Sequence, residues 1–336
     1  MHGTSDWILL SLAPVPAERA RDWLAGIDGL TVRLPAERSA AAVRRAIPDA
    51  DIVISDWSGA LRVDATDVAA ARRLVFLMSP SVGLDNIDLE ALTEAGVVVA
   101  NTAGLNASSV AEWCLAAAFA VARSLVWVDR QVRDGAWPQL ELPGRGSTEL
   151  AGLRVGVLGF GAVGSRVARL FGAIGCDVAY WTRRRRPTED EGGARWLPLD
   201  DLVARSDILV DNLSLATETR DLIGAARLAM LPRGAIVVDA GRAGIVDHMA
   251  ILGAIEAGAL RGAAIDVFEM EPLPADSRLR GSERILLSSH AAATTAQSIA
   301  RIFGLVGANV RRAIAGEPIE SVVNGLDPVI RRRNAG

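Results

Sequence analysis

Glycines at 159, 161 and 164 in "VGVLGFGAVGSRVARLFG" have the G-x-G-x-x-G spacing of a phosphate-binding turn. Alone the pattern is weak, but here it follows the apolar run "LRVGVLG" and opens the helical stretch "AVGSRVARLFGAIG". In that setting Gly159 permits a tight turn, Gly161 lets backbone N–H groups approach a pyrophosphate, and Gly164 lets helix and strand pack closely. Ala162 and Val163 complete the turn and join the glycines as candidate cofactor contacts. The helix N-terminus adds partial positive charge for the phosphates. A glycine-rich turn without a ligand is the competing reading, and strand, glycines and helix in succession outweigh it.

An acid that hydrogen-bonds the ribose 2′-hydroxyl is expected about twenty residues further on, where the next strand ends. Counting through "CDVAYWTRR" places Thr182 there, followed at once by Arg183 and Arg184. A neutral residue beside two guanidiniums favours a 2′-phosphate, hence NADP(H), with NAD(H) possible. Asp177 opens that strand and cannot replace the missing acid. The competing reading is a solvated loop, because all 36 basic residues are arginine and an arginine here says less than usual.

The elements that must carry these residues alternate regularly. "WILLSL", "DIVISD", "RLVFLMS" and "GVVVAN" read as buried strands, separated by helical stretches such as "AERSAAAVRRAI" and "DATDVAAARR". That alternation implies a parallel sheet covered on both faces. One long helix is expected over about 107–134, with Ser108 or Ser109 as N-cap. After the Gly/Pro-rich "GAWPQLELPGRGSTEL", a second strand–helix series runs through "DILVDNLS", "GAIVVDAG", "GAAIDVF" and "RILLSSH". A last helix over about 294–315 should return to the first domain, and the tail "RRRNAG" reads as disordered.

At 336 residues the chain is long enough for two domains, and a net charge of −4 suggests neither nucleic acid nor an anionic membrane as partner. Cys114 and Cys176 lie in apolar surroundings without metal-ligand spacing, so they read as reduced core residues of a cytoplasmic protein, and no metal is expected. "WILLSLAPVPA" lacks the basic leader of a signal peptide, and "VAEWCLAAAFAVA" is too short to span a bilayer.

The ordered series "SVGLDNIDLEAL", "NTAGLNASSVAE", "GVLGFGAVG", "LATETRDLI", "GRAGIVD", "GAAIDVFEMEPLP" and "SSHAAATT" resembles the D-isomer-specific 2-hydroxyacid dehydrogenase family over nearly the whole chain. The resemblance implies an α/β fold of two Rossmann-like, doubly wound parallel-sheet domains with the active site in the cleft between them. It implies a substrate domain of residues 1–102 plus 294–327, a dinucleotide domain of 103–293 inserted within it, and a tail of 328–336. Three residues match the family's catalytic positions: Arg242 in "AGRAG", Glu271 before Pro272, and His290 in "SSHA".

Their chemistry is coherent without the family. Reducing a 2-keto acid needs a hydride on carbon and a proton on the carbonyl oxygen. A histidine supplies that proton near neutral pH, and a neighbouring carboxylate keeps it charged. An arginine fixes the anion bidentately and polarises its carbonyl. Singly, Arg242 reads as a surface charge, Glu271 as a turn cap and His290 as a buried hydrogen-bonded residue. Each follows an apolar strand, where parallel sheets place ligands, and together the functional reading prevails. His2 lies at the chain start, and His248 reads as the first turn of a helix at a place often acidic in relatives.

The resemblance further assigns Ser81, Val82, Gly83 and Asn106 to substrate, together with Arg242 and His290. It assigns Leu213, Ser214, Thr219, Ala240, Asp266 and Ala292 to the cofactor, with Asp266 near the nicotinamide amide. Two departures stand beside the arginine: Ala243 replaces the usual glycine and restricts the backbone, and Gly241 implies a more mobile setting. Val82 stands where phosphite dehydrogenase uses a lysine, which disfavours phosphite oxidation.

The leading expectation is an NAD(P)-dependent D-2-hydroxyacid dehydrogenase acting as a glyoxylate or hydroxypyruvate reductase. The same triad would also serve a phosphonate or hydrated aldehyde substrate. A non-enzymatic dinucleotide sensor resembling corepressors is the alternative of another class, disfavoured by the lack of long interaction tails. The family implies a homodimer, with Trp113, Trp127 and Trp137 as interface candidates against simple core packing.

Overall fold

Short, uninterrupted runs of Val, Ile and Leu build both sheets, because parallel strands covered on two faces have no solvent side to fill with polar residues. The computed structural model describes residues 6–187 and 192–333, so His2 lies outside the described residues. The chain divides into two compact units, Met1–Asn106 with Ala296–Gly336, and Ala107–Thr295.

The first unit runs β1 (Trp7–Ser11), α1 (Ala17–Trp23), β2 (Leu30–Arg33), α2 (Ala40–Ala46), β3 (Ile52–Ile54), α3 (Ala65–Ala70), β4 (Phe76–Met78), α4 (Leu89–Glu94) and β5 (Val98–Ala100). Its five parallel strands are ordered β2-β1-β3-β4-β5. Val43, Leu74, Leu77 and Leu92 fill one face of the sheet. The other face is filled by Leu9, Ile52 and Phe76 against Val306, Val310 and Ala313 of the final helix.

The second unit comprises α5 (Ala107–Ala122), α6 (Leu125–Arg133), α7 (Leu142–Arg145), β6 (Arg154–Leu158), α8 (Gly164–Ala173), β7 (Asp177–Trp181), β8 (Arg195–Trp196), α9 (Leu199–Arg205), β9 (Ile208–Asp211), α10 (Ala225–Leu228), β10 (Ala235–Asp239), α11 (His248–Glu256), β11 (Leu260–Ile265) and β12 (Ile285–Leu287). The chain then returns to the first unit as α12 (Ala296–Ala315). The seven strands of the second unit are ordered β12-β11-β10-β9-β6-β7-β8, all parallel, so the strand order reverses at β6. Ligands of such sheets bind at the carboxyl ends of the strands beside that reversal. Small residues of α5, Ala111, Cys114 and Ala118, let it pack directly on one face, while Leu202, Ile251 and Leu252 cover the other.

Three sequence expectations are corrected. The helix expected over 107–134 is broken: Ser124 adopts a left-handed φ of 51°, and α5 and α6 meet at 59°. Neither Ser108 nor Ser109 caps α5, which begins at Ala107; both lie in its first turn, where the Ser109 hydroxyl pairs with Thr295 at 2.9 Å. The C-terminal stretch is not a loose tail. Ile330 is buried, and Arg332 bonds the buried carboxylate of Asp51 at 3.1 Å, which Arg73 also holds at 2.9 Å. Residues 334–336 lie outside the described residues. Among the described residues no single helix is long and apolar enough to cross a membrane.

Candidate active site

Arg242, Glu271 and His290 follow β10, β11 and β12, three adjacent strands, so the order of the sheet gathers residues far apart in sequence at one edge. His290 Nδ1 lies 2.9 Å from Glu271 Oε2, while Glu271 Oε1 accepts the Phe268 N–H at 3.0 Å. This fixes the ring and leaves Nε2 as the nitrogen able to exchange a proton with a ligand.

The electrostatics agree with the geometry. The hydrogen bond that His290 donates to Glu271 raises the His290 pKa above its usual value; burial and the charge of Arg242 pull the other way, and the charge of Glu271 adds to the rise. Burial pushes Glu271 up, but the His290 hydrogen bond, the Phe268 amide and the charges of His290 and Arg242 outweigh it, and its pKa falls below the usual carboxylate range. Both shifts favour the imidazolium–carboxylate form of the pair, which lies within the field of the arginine. The Arg242 guanidinium donates through Nη1 to Gly241 O at 2.9 Å.

His290 has φ 55°, a left-handed backbone that histidine tolerates better than most residues. Asp266 explains how the turn is held. Its backbone O accepts from His290 N–H at 2.8 Å, and its two carboxylate oxygens accept from Ala291 and Ala292 N–H at 2.8 and 3.0 Å. Asp266 is 2% exposed, and its carboxylate holds the turn that carries His290. Ala292 is buried against it.

The glycine turn fits a dinucleotide pyrophosphate. Gly159 has φ 87°, and a side chain there would meet the Asn212 carbonyl at 2.9 Å. A side chain on Gly164 would run into the Gly159 carbonyl, whereas one on Gly161 would meet nothing within 4 Å. Two glycines are thus required by packing and the third faces open space, the arrangement a phosphate needs to approach backbone. Ala162 and Val163 lead into α8, where the Ser165 N–H bonds the Gly161 carbonyl at 3.1 Å and the Arg166 and Val167 N–H groups bond the Val163 carbonyl at 2.9 Å.

At the adenosine end the picture is more mixed. Thr182 turns its hydroxyl to the Arg184 carbonyl at 2.6 Å. Arg183 pairs with Glu218 at 3.2 Å, both side chains being more than half exposed. Glu218 was not singled out by sequence, although it sits in the quoted "LATETRDLI" loop. In that loop Thr219 is 3% exposed and donates to the Ser214 carbonyl at 2.8 Å, shaping the turn rather than presenting a hydroxyl. Leu213 N–H and Ala240 N–H bond to the Asp211 side chain and carbonyl, at 3.0 and 3.1 Å.

Of the two departures beside Arg242, the structure corrects the second. Gly244, not Ala243, takes the left-handed conformation, with φ 82°. Gly241 is buried and its N–H bonds Asp239 Oδ1 at 3.2 Å, so this position is pinned and not mobile.

Within the first unit, the loop after β4 has its carbonyls satisfied internally: Ser81 O by Thr102 N–H (3.2 Å), Val82 O by Asn101 (3.0 Å) and Gly83 O by the Ser81 hydroxyl (2.9 Å). That suits a loop offering N–H groups to an anion. Asn106 has a buried Oδ1 with no hydrogen-bond partner among the described residues.

Residues 115–292 match the family model described as D-isomer specific 2-hydroxyacid dehydrogenase, NAD binding domain. A glyoxylate reductase of Aeropyrum pernix is 37% identical over 272 residues, covering 78% of this chain and 80% of that protein. A D-3-phosphoglycerate dehydrogenase of Archaeoglobus fulgidus is 32% identical over 309 residues, which is 92% of this chain but only 58% of that longer protein. The crystal structure of a glyoxylate reductase from Paecilomyes thermophila superposes with a TM-score of 0.81 at 26% identity, covering 95% of this chain and 98% of the other.

Proposed function

Since the chain belongs to the D-isomer specific 2-hydroxyacid dehydrogenase family, we propose that it acts as a 2-keto acid reductase of the glyoxylate or hydroxypyruvate type. A bound nicotinamide supplies the hydride to the keto carbon. Arg242 grips the substrate carboxylate and polarises the carbonyl. His290 delivers the proton from Nε2 to the carbonyl oxygen, and Glu271 keeps the ring protonated and oriented. The observation that carries this reading is the 2.9 Å pair between His290 and Glu271, with both groups in the field of Arg242.

NADP(H) is the preferred cofactor in this reading, gripped through its 2′-phosphate by Arg183 and Arg184 beside the neutral Thr182. Arg183 is paired with Glu218 at 3.2 Å, and a bound 2′-phosphate would compete with that carboxylate for the guanidinium. The protein works in the cytoplasm as a homodimer. Trp137 is 79% and Leu140 91% exposed just beyond α6, and they form the apolar surface a second copy would cover. Trp113 packs partly into the core, and Arg145 lies over the Trp127 ring at 4.1 Å, so these two are weaker interface candidates.

The test is oxidation of NADPH and NADH by purified protein with a panel of glyoxylate, hydroxypyruvate, pyruvate and a 2-oxophosphonate. Turnover with a small 2-keto acid supports the reading. Turnover only with the phosphonate, or cofactor binding with no turnover at all, removes it.

A further inference from the structure

Behind the Arg242 turn lie three titratable side chains that the proposed reaction leaves unused. β9 and β10 pair in a register that sets Asp211 opposite Asp239, so strand pairing alone brings two carboxyls side by side. Both are buried, at 1% and 0% exposure. His248, the first residue of α11, closes the group with Nε2 2.8 Å from Asp239 Oδ2, and its ring stands edge-on to Phe268 at 6.0 Å. Two adjacent buried carboxylates cannot both stay ionised without compensation. Burial first, and then the charge of Asp239, holds Asp211 well above the usual carboxylate range.

The outward hydrogen bonds of this cluster reach functional loops. Asp211 Oδ1 accepts from the Leu213 N–H at 3.0 Å, and Asp239 Oδ1 accepts from the Gly241 N–H at 3.2 Å. Gly241 O in turn accepts from the Arg242 guanidinium at 2.9 Å. A side chain on Gly241 would collide with the Asp211 carboxyl, so the glycine makes room for that acid. A continuous path thus runs from His248 through Asp239 and the Gly241 peptide to Arg242.

We propose that His248, Asp239 and Asp211 form a positioning cluster for Arg242, which holds the substrate-gripping guanidinium in place through the Gly241 peptide. None of the three touches substrate. The inference rests on the reading of Arg242 as the substrate-binding arginine. If His248 instead only filled the interior, its loss would lower thermal stability without singling out substrate.

The test compares wild type with His248→Leu and with His248→Gln, whose amide can still donate to Asp239. Steady-state kinetics with the best 2-keto acid, cofactor affinity by fluorescence titration, and hydrogen exchange of the segment containing Gly241 and Arg242 are measured on each. Expected for His248→Leu is a KM for the keto acid raised about tenfold, with cofactor affinity within about twofold of wild type. Exchange at Gly241 and Arg242 should speed up, and His248→Gln should restore both readouts. Wild-type KM and exchange in His248→Leu would overturn the cluster, as would a folded Gln variant that restores neither. If the wild type reduces no 2-keto acid, the proposed function falls, and the exchange comparison still decides whether the cluster holds the Arg242 turn.

Discussion

His290 combines a 2.9 Å hydrogen bond to Glu271 with a left-handed backbone at φ 55°. Such a conformation costs on the order of 1–3 kcal/mol and persists only where its surroundings impose it. Here Asp266 imposes it, by bonding three successive N–H groups from His290 to Ala292. The same turn sets the ring beside the Glu271 carboxylate.

The pH dependence follows from that pair. Reduction requires imidazolium, and Glu271 raises the His290 pKa, so kcat/KM for keto acid reduction should hold through pH 6.5 and fall only as pH passes the raised value. In Glu271→Gln the main raising cause is gone, and the descending limb should move to lower pH. For stability, the His290 contribution is fully present below about pH 6.5 and lost as pH rises through the folded value. The Glu271 contribution, from a lowered pKa, is present above about pH 4.3 and lost as pH falls through its folded value. A pH–rate profile for the two proteins checks this, and identical alkaline limbs would refute the pairing.

Under the proposed mechanism, removing His290 should be costlier than mistuning it. His290→Asn should lower kcat by roughly 10²–10⁴-fold, the usual worth of a general acid, with the Kd for NADPH unchanged. Arg242→Ala should abolish measurable turnover. Arg242→Lys keeps the charge but loses the bidentate fork, and should recover only a small part of the activity.

Under the proposed NADP(H) preference, cofactor choice turns on Arg183, Arg184 and Glu218. Neutralising either arginine should weaken NADPH binding by about tenfold, the worth of one or two charge-assisted hydrogen bonds, and leave NADH binding nearly unchanged. Glu218→Gln removes the carboxylate that competes for Arg183 and should tighten NADPH binding. Isothermal titration with both cofactors separates these outcomes; equal losses for NADPH and NADH would mean the arginines do not read the 2′-phosphate.

The buried strands and the glycine turn were legible in sequence because their signals are local: an apolar run, a glycine spacing, a helix start. Two of the four edge strands, β2 and β8, were not, since "LTVR" and "RW" are short and half-exposed. The break between α5 and α6 was hidden for a similar reason. Ser124 adopts its left-handed conformation without a glycine or proline to announce it. Asp211 and Asp239 become neighbours only because β9 lies beside β10, a fact of sheet order that no window along the chain reports. His248 was noted as a helix start, and its bond to Asp239 needed the fold to be seen.

The C-terminal arginines show how composition can mislead. A terminal "RRR" in a chain with no lysine reads as a solvated tail, but Asp51 changes the energetics of Arg332. The Asp51 carboxylate is fully buried and receives the Ile8 N–H at 2.8 Å, Arg73 at 2.9 Å and Arg332 at 3.1 Å. A buried carboxylate shared by two guanidiniums is stable only while its partners remain, and breaking such a group costs about 3–5 kcal/mol. Asp51→Ala should therefore destabilise the first unit by about 3 kcal/mol, since the arginines remain partly exposed and recover some hydration. Arg332→Ala should cost less, because Arg73 still compensates the acid. Urea denaturation with tryptophan fluorescence checks both, since Trp7 lies beneath Arg332 at 5.2 Å and reports on that corner. An Arg332→Ala protein as stable as wild type would return the C-terminal segment to the solvated role its composition suggested.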